Sequence, residues 1–344
     1  MNSSTNFRAM NTTMLKFCFG VLTLASVTLV LHQCQLLDFG KLSKMAILNP
    51  KHFSFFMNIY SPDAKSMFQH DYVINEKDKC KNEEPFLVLL VISSNQNKEA
   101  RDVIRKTWGS VRRVQVNLSG NAFVVNITRV FLLGRLSSPV QEEIEKESQE
   151  YHDIVQQDFL DTYRNLTLKT MMGLQWLMDF CPQASYALKI DTDMFFNPEN
   201  LVEIVLRPDL PVRSEYLTGV YMEGFSPIRN VQSKWYVSED VYPSNNYPPF
   251  CSGTTYVFST DLASKILQVA PNVTYVDLED VFMGLCLNKM GIKPQRPPKE
   301  GLFHAYFVAY TPCVYRRIIT SHGVSPNQLL LFWEGVRTSL GEKC

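Results

Sequence analysis

Residues Lys189 to Asn197 read KIDTDMFFN. Just ahead, Tyr186-Ala187-Leu188 together with Ile190 specify a buried strand whose end delivers Asp191 and Asp193. Side chains alternate along an extended chain, so acids two residues apart face the same way. Open α/β sheets bind ligands beyond the carboxyl ends of their strands, which puts both carboxylates where a ligand would sit. Hard oxygen donors at that point suit Mg²⁺ or Mn²⁺ bridging to a diphosphate, because these ions keep open positions for substrate oxygens. The same residues also suit a plain polar turn, where Asp and Asn are favoured. The rest of the chain decides between the two.

Upstream, FLVLLVI (Phe86 to Ile92) is a continuous apolar run fit for a buried strand. A helix follows from about Lys98 to Trp108, with Ala100, Val103, Ile104 and Trp108 on its apolar face. Arg101 and Arg105 share another face, four residues apart, and suit either the phosphates, ribose or base of a nucleotide or a solvated basic surface. Next come a strand from Ala122 to Leu133, a charged helix from Val140 to Glu150 and a short edge strand at Asp153-Ile154-Val155. A helix from Leu166 to Phe180 is stopped at Cys181-Pro182. Strands alternating with helices predict a parallel α/β sheet of Rossmann-like character. No G-x-G-x-x-G follows the first strand and no G-x-x-x-x-G-K-[ST] occurs, which argues against a dinucleotide oxidoreductase and a P-loop NTPase.

Downstream, strands are expected at Tyr216 to Tyr221 and Trp235 to Val237, then a Pro- and Tyr-rich passage from Tyr242 to Pro249 leads into FCSGTTYVFS. Aromatics beside polar groups suit sugar rings, and equally an aromatic-rich mixed sheet. Glu279-Asp280 opens an amphipathic helix ending before Gly291. There the helix dipole favours a carboxylate anion, whether as a cap or as a base. Arg316 and Arg317 precede His322, and a last helix is expected from Pro326 to Leu340.

The chain has 344 residues, and 34 Lys and Arg balance 34 Asp and Glu, so no global field recruits nucleic acid. Phe17 to Leu31 is uncharged and apolar, and its extension to Leu37 reaches the roughly 20 residues that a spanning helix needs. No A-x-A cleavage pattern follows, and Arg8 and Lys16 precede it, which favours an uncleaved signal anchor over a signal peptide. The expected organisation is a cytosolic tail (1–16), a transmembrane signal anchor (17–37), a luminal stem (38–84) and a catalytic domain (85–344). Sequons at Asn117, Asn126, Asn165 and Asn272 all follow the anchor, although Asn165 also stands where a helix cap is expected. Cys80, Cys181, Cys251, Cys286, Cys313 and Cys344 form an even set suited to an oxidising compartment, with the pairing left open.

Seven strings in order carry a resemblance: RDVIRKTW (Arg101 to Trp108), FLLG (Phe131 to Gly134), DFLDTYRNLTLKT (Asp158 to Thr170), KIDTDMFFN, YPPFCSGTTYVFS (Tyr247 to Ser259), LEDVFMGLCL (Leu278 to Leu287) and YRRIITSH (Tyr315 to His322). From Pro85 onward the chain resembles the β-1,3-galactosyltransferase family of Golgi enzymes (glycosyltransferase family 31). It is nearest the branch that galactosylates terminal N-acetylglucosamine to make type 1 chains. The resemblance implies a GT-A fold, UDP-galactose as donor, a terminal N-acetylglucosamine acceptor, Mn²⁺, inversion at the anomeric carbon and a type II Golgi membrane location. It also implies roles: Asp193 and His322 as metal ligands, Asp191 on the ribose or assisting the metal, Asp280 as general base with Glu279 as the alternative, and Arg101 and Arg105 lining the UDP pocket. A β-1,3-N-acetylglucosaminyltransferase, or a non-catalytic luminal chaperone or lectin on the same fold, are the rival readings. Two residues depart from the pattern. Thr192 stands where many relatives have Asp, and Thr255 stands where Gly is common, a position at which a β-branched residue would disfavour positive φ.

Overall fold

The apolar run 86–92 is a strand whose two faces both meet a core. Leu87, Leu89 and Val91 enter one hydrophobic cluster while Val88, Leu90 and Ile92 enter another. Such two-sided burial explains why the run does not alternate with polar residues. The structure, a computed structural model, describes residues 70–81, 84–136, 140–341 and 343–344. The expected tail and anchor, and the expected stem as far as 69, lie outside the described residues. Among those described, no helix is long and apolar enough to cross a membrane.

The strands are β1 (Tyr72–Ile74), β2 (Leu87–Ile92), β3 (Arg113–Leu118), β4 (Asn121–Arg135), β5 (Ile154–Leu160), β6 (Tyr186–Asp191), β7 (Met194–Phe196), β8 (Leu217–Met222), β9 (Phe250–Ser259) and β10 (Thr320–His322). The main helices are α1 (Lys98–Lys106), α2 (Val140–Tyr151), α3 (Leu166–Phe180), α4 (Thr260–Val269), α5 (Glu279–Lys289) and α6 (Pro326–Thr338). The large sheet runs β1-β5-β4-β2-β6-β9-β8. Its centre, β5-β4-β2-β6, is parallel as expected, whereas β9 runs antiparallel to β6 and β8. The sheet is therefore mixed rather than purely parallel. Helices α3, α4 and α5 cover one face, and α1 and α6 cover the other.

Several expectations need correcting. The segment 153–155 is no edge strand: β5 continues to Leu160 and is flanked by β4 and β1. Trp235 to Val237 forms no strand; an isolated bridge between Ile228 and Tyr236 is the ladder contact there. The folded unit also begins before Pro85. Strand β1 pairs with β5, and the Cys80–Cys181 disulfide ties the segment after it to the end of α3. Within the segment expected as stem, Tyr72–Ile74 thus belong to the sheet and Cys80 is bonded to the folded unit. A second disulfide joins Cys313 to Cys344, and Cys251 and Cys286 are free and buried. Asn165 occupies the N-cap position of α3 without a side-chain cap bond; its amide donates instead to the Leu160 carbonyl at 2.8 Å.

The parallel centre sets the location of the site. Ile92 and Asp191 are register partners, so the turns after β2, β5 and β6 emerge along one edge. Because β9 is antiparallel to β6, its early residues Gly253 and Thr255 return to that same edge, with Thr255 opposite Ile190.

Candidate active site

Lys189 and Asp191 lie two apart on β6 and share a face. The Lys189 ammonium is buried, 3% exposed, and reaches Asp191 Oδ1 at 2.6 Å. It also donates to the Gly253 carbonyl on β9 and lies 3.7 Å from Glu279 Oε2. One cation therefore ties the Asp-x-Asp segment to β9 and to the start of α5. Burial pushes the Asp191 carboxyl up, and Lys189 opposes that shift.

Glu279 and Asp280 occupy the first turn of α5 but have different surroundings. Glu279 is buried, and the Tyr256 hydroxyl donates to its Oε1. Burial pushes Glu279 up to about 7, against the pull of Lys189 and with the help of the Asp280 charge. Asp280 is half-buried; its Oδ2 accepts from the Gly253 N–H and its Oδ1 from the Val281 N–H, each at 2.9 Å. Burial raises its pKa as well, while these backbone donors favour the anion. Gly253 permits the approach. A Cβ there would stand 3.2 Å from Glu279 Oε2 and 3.3 Å from Asp280 Oδ2.

Asp193 and His322 meet through a second, two-stranded sheet. Strand β7 pairs antiparallel with β10, and the register places Met194 opposite His322. His322 Nε2 then lies 3.2 Å from Asp193 Oδ2, with side-chain exposures of 33% and 53%. The bond to Asp193 holds the imidazole above its usual pKa. At Asp193 burial pushes upward, and the histidine outweighs it to leave the carboxyl below its usual value.

An imidazole nitrogen beside a carboxylate oxygen is a donor set that Mn²⁺ accepts, and both groups face solvent. Among the described residues no group of three or more His, Cys, Asp or Glu side chains could hold a metal unaided. The pair fits an ion that takes its other ligands from a diphosphate and water.

Arg101 and Arg105 are not brought to these carboxylates. Arg101 is fully buried and donates from Nε and Nη2 to the two oxygens of Glu147, at 2.8 and 2.7 Å. Its Nη1 holds Ser93 Oγ at 3.2 Å and the Ser94 carbonyl, in the turn after β2. Arg105 pairs with Asp102, Glu147 and Asp153 at 2.7–2.8 Å. The solvated basic face is overturned, because Glu147 of α2 and Asp153, just ahead of β5, draw both guanidiniums inward.

Thr255 causes no distortion. It sits in extended β9, fully buried, and its hydroxyl donates to the Lys189 carbonyl at 3.0 Å. Lys189 is a member of this cluster that the carboxylate pattern alone does not single out. Nor does that pattern single out Tyr256.

These features define an α/β protein with an acid-rich cluster at the carboxyl edge of its parallel strands. A sequence model described as Galactosyltransferase matches residues 99–298. The chain is 42% identical over 275 residues to β-1,3-galactosyltransferase 1 of Mus musculus, covering 80% of this chain and 81% of that protein. It is 45% identical over 280 residues to β-1,3-galactosyltransferase 2 of Homo sapiens, covering 80% of this chain and 64% of that longer protein. The chain belongs to the galactosyltransferase family. A solved apo structure of the bifunctional glycosyltransferase WbbM aligns over 70% of this chain and 46% of that one, at TM-score 0.37 and 10% identity, too distant to bear on the fold.

Proposed function

We propose that this chain is an inverting, UDP-galactose-dependent β-1,3-galactosyltransferase of GT-A fold. It transfers galactose to the 3-hydroxyl of a terminal N-acetylglucosamine. The observation that carries the reading is the convergence on the end of β6 of four segments far apart in sequence: 189–193, 253–256, 279–280 and 322.

Asp280 serves as the general base. Its two backbone donors fix the carboxylate, and burial brings its basicity closer to neutrality. It takes the proton of the acceptor hydroxyl while the new C–O bond forms on the face of the anomeric carbon opposite the departing UDP. The transition state is oxocarbenium-like, as in glycoside hydrolysis, and general-base help contributes about 10²–10⁴-fold in rate. Glu279, more buried and held by Tyr256, keeps Lys189 oriented rather than taking that proton. Asp193 and His322 would hold Mn²⁺, which when bound supplies Lewis-acid stabilisation of charge on the leaving diphosphate. Asp191, pinned by Lys189, contacts the ribose or supports Asp193. Arg101 and Arg105 shape the UDP pocket from behind, Arg101 by holding the Ser93–Ser94 turn. The two disulfides support an oxidising compartment. We place the chain in the Golgi lumen on a type II anchor.

The test is a panel of UDP-sugars offered to the purified luminal chain with N-acetylglucosamine- or galactose-terminated acceptors, with and without Mn²⁺, and the product linkage read by NMR. Galβ1-3GlcNAc formed from UDP-galactose is the expected product. Transfer of N-acetylglucosamine instead would make the chain a β-1,3-N-acetylglucosaminyltransferase, and no turnover of any donor would favour the non-catalytic class.

A further inference from the structure

Residues 223–249 join β8 to β9 without a helix or strand, longer than a connection in a compact domain usually runs. The stretch is nevertheless anchored. Arg229 holds the carbonyls of Val237, Tyr242 and Ser244 from within it. Val237 and Tyr247 pack with Val276, Leu278 and Val281, the residues that lead into α5 around Asp280. Two residues before Val237, Trp235 stays 47% exposed. Its indole N–H donates to the Tyr163 hydroxyl at 3.1 Å, and Tyr163 is likewise 47% exposed.

Tyr163 comes from a different part of the chain, the turn after β5. That turn and the start of α3 are tied to the approach to α5: Arg164 pairs with Asp277, and Thr167 Oγ1 donates to the Val276 carbonyl at 3.3 Å. Tyr163 therefore stands near the approach to α5, close enough to Asp280 to feel its charge, and the half-exposed Trp235 ring is hydrogen-bonded to it. Aromatic faces are electron-rich and attract polarised hydrogens; here the Lys234 ammonium sits over both rings, 4.6 Å from the Trp235 centroid and 5.6 Å from the Tyr163 centroid, and a ligand taking those faces replaces it. The axial C–H groups of a pyranose present such hydrogens on an otherwise apolar face.

We propose that Trp235 and Tyr163 form the acceptor subsite, on which the terminal pyranose of the saccharide acceptor stacks with its hydroxyls turned toward Asp280. The saccharide's role as acceptor rests on the transferase reading; its binding does not. An aromatic pair locked by a hydrogen bond costs little ordering entropy when it receives a ring, which favours it as an anchor.

Binding is measured without turnover, by saturation-transfer NMR titration of the methyl β-glycoside of N-acetylglucosamine into the intact chain holding UDP. Truncating an aromatic anchor typically costs more than 1 kcal/mol, so Trp235→Ala should weaken binding about tenfold while UDP affinity stays unchanged. Trp235→Phe should recover most of the loss, and Tyr163→Phe, which removes the acceptor of the indole bond, should weaken binding about two- to threefold. Saccharide binding by Trp235→Ala equal to that of the parent chain overturns the subsite. Saccharide binding that depends on Trp235, together with absence of transfer from every UDP-sugar, leaves the subsite standing and removes the transferase reading instead.

Discussion

Two charged clusters lie beside the same sheet, and they differ in balance. In one, the buried guanidiniums of Arg101, Arg105 and Arg129 face Asp102, Glu147 and Asp153, cation for anion. In the other, Asp191, Glu279 and Asp280 share the ammonium of Lys189, while Asp193 has His322. A buried charge is tolerated when paired and hydrogen-bonded, so the first cluster is complete in itself and reads as architecture. The second leaves negative charge over, holds Glu279 well above its usual pKa, and opens to solvent at Asp193. Carboxylates perturbed by burial beside a specific charge partner are candidates for a functional site. Residue type alone would have ranked the arginines and the acids alike; the partners separate them.

Three substitutions break that contrast, from the largest effect to the smallest. Asp280→Asn should reduce kcat by about 10²–10⁴-fold with UDP affinity nearly intact, read by transfer kinetics beside calorimetry; retained turnover would remove Asp280 from the base role. In the balanced cluster, Asp153→Asn strands Arg129 and part of the Arg105 pairing. It should destabilise the fold by about 3–5 kcal/mol in urea titrations, the cost of breaking a buried pair, while the folded fraction keeps its acceptor KM. An unchanged urea midpoint would mean that this cluster is not architectural.

The third concerns pH. Glu279 is raised from an ordinary 4.5 to about 7, first by burial. Between those values the folded chain holds a proton that the unfolded chain has released, so the contribution to stability is full below about 4.5 and is lost as pH rises through about 7. Glu279→Gln should flatten the decline in melting temperature across that window. An identical slope in both proteins would show that Glu279 does not titrate there.

The strands and helices whose burial pattern is local were legible in the sequence. The run 87–92, α3 and α5 were found close to their bounds because each announces its own period or a two-sided core. Strand β3 was missed, although RVQVNL alternates between exposed and buried residues and Ser119-Gly120 makes the tight turn to β4 with both φ positive. The pairing of 194–196 with 320–322 was not legible, since nothing in either triplet names its partner. It is nonetheless what joins Asp193 to His322. For the same reason the arginines were read without Glu147 and Asp153, which lie on other elements. The Asp-x-Asp and Glu-Asp positions were legible by spacing and resemblance, but the cation that links them was not, because Lys189 finds Gly253 and Glu279 only through the β6–β9 pairing.

On the proposed mechanism, the excess negative charge at the end of β6 holds a metal-bound nucleotide diphosphate. Calorimetric titration of UDP into the parent chain and into Asp193→Ala, each with and without Mn²⁺, tests it most directly. UDP affinity should rise with Mn²⁺ in the parent chain and fall at least about tenfold, with no remaining Mn²⁺ dependence, in the variant. Equal UDP affinity in the two proteins with Mn²⁺ present would contradict it.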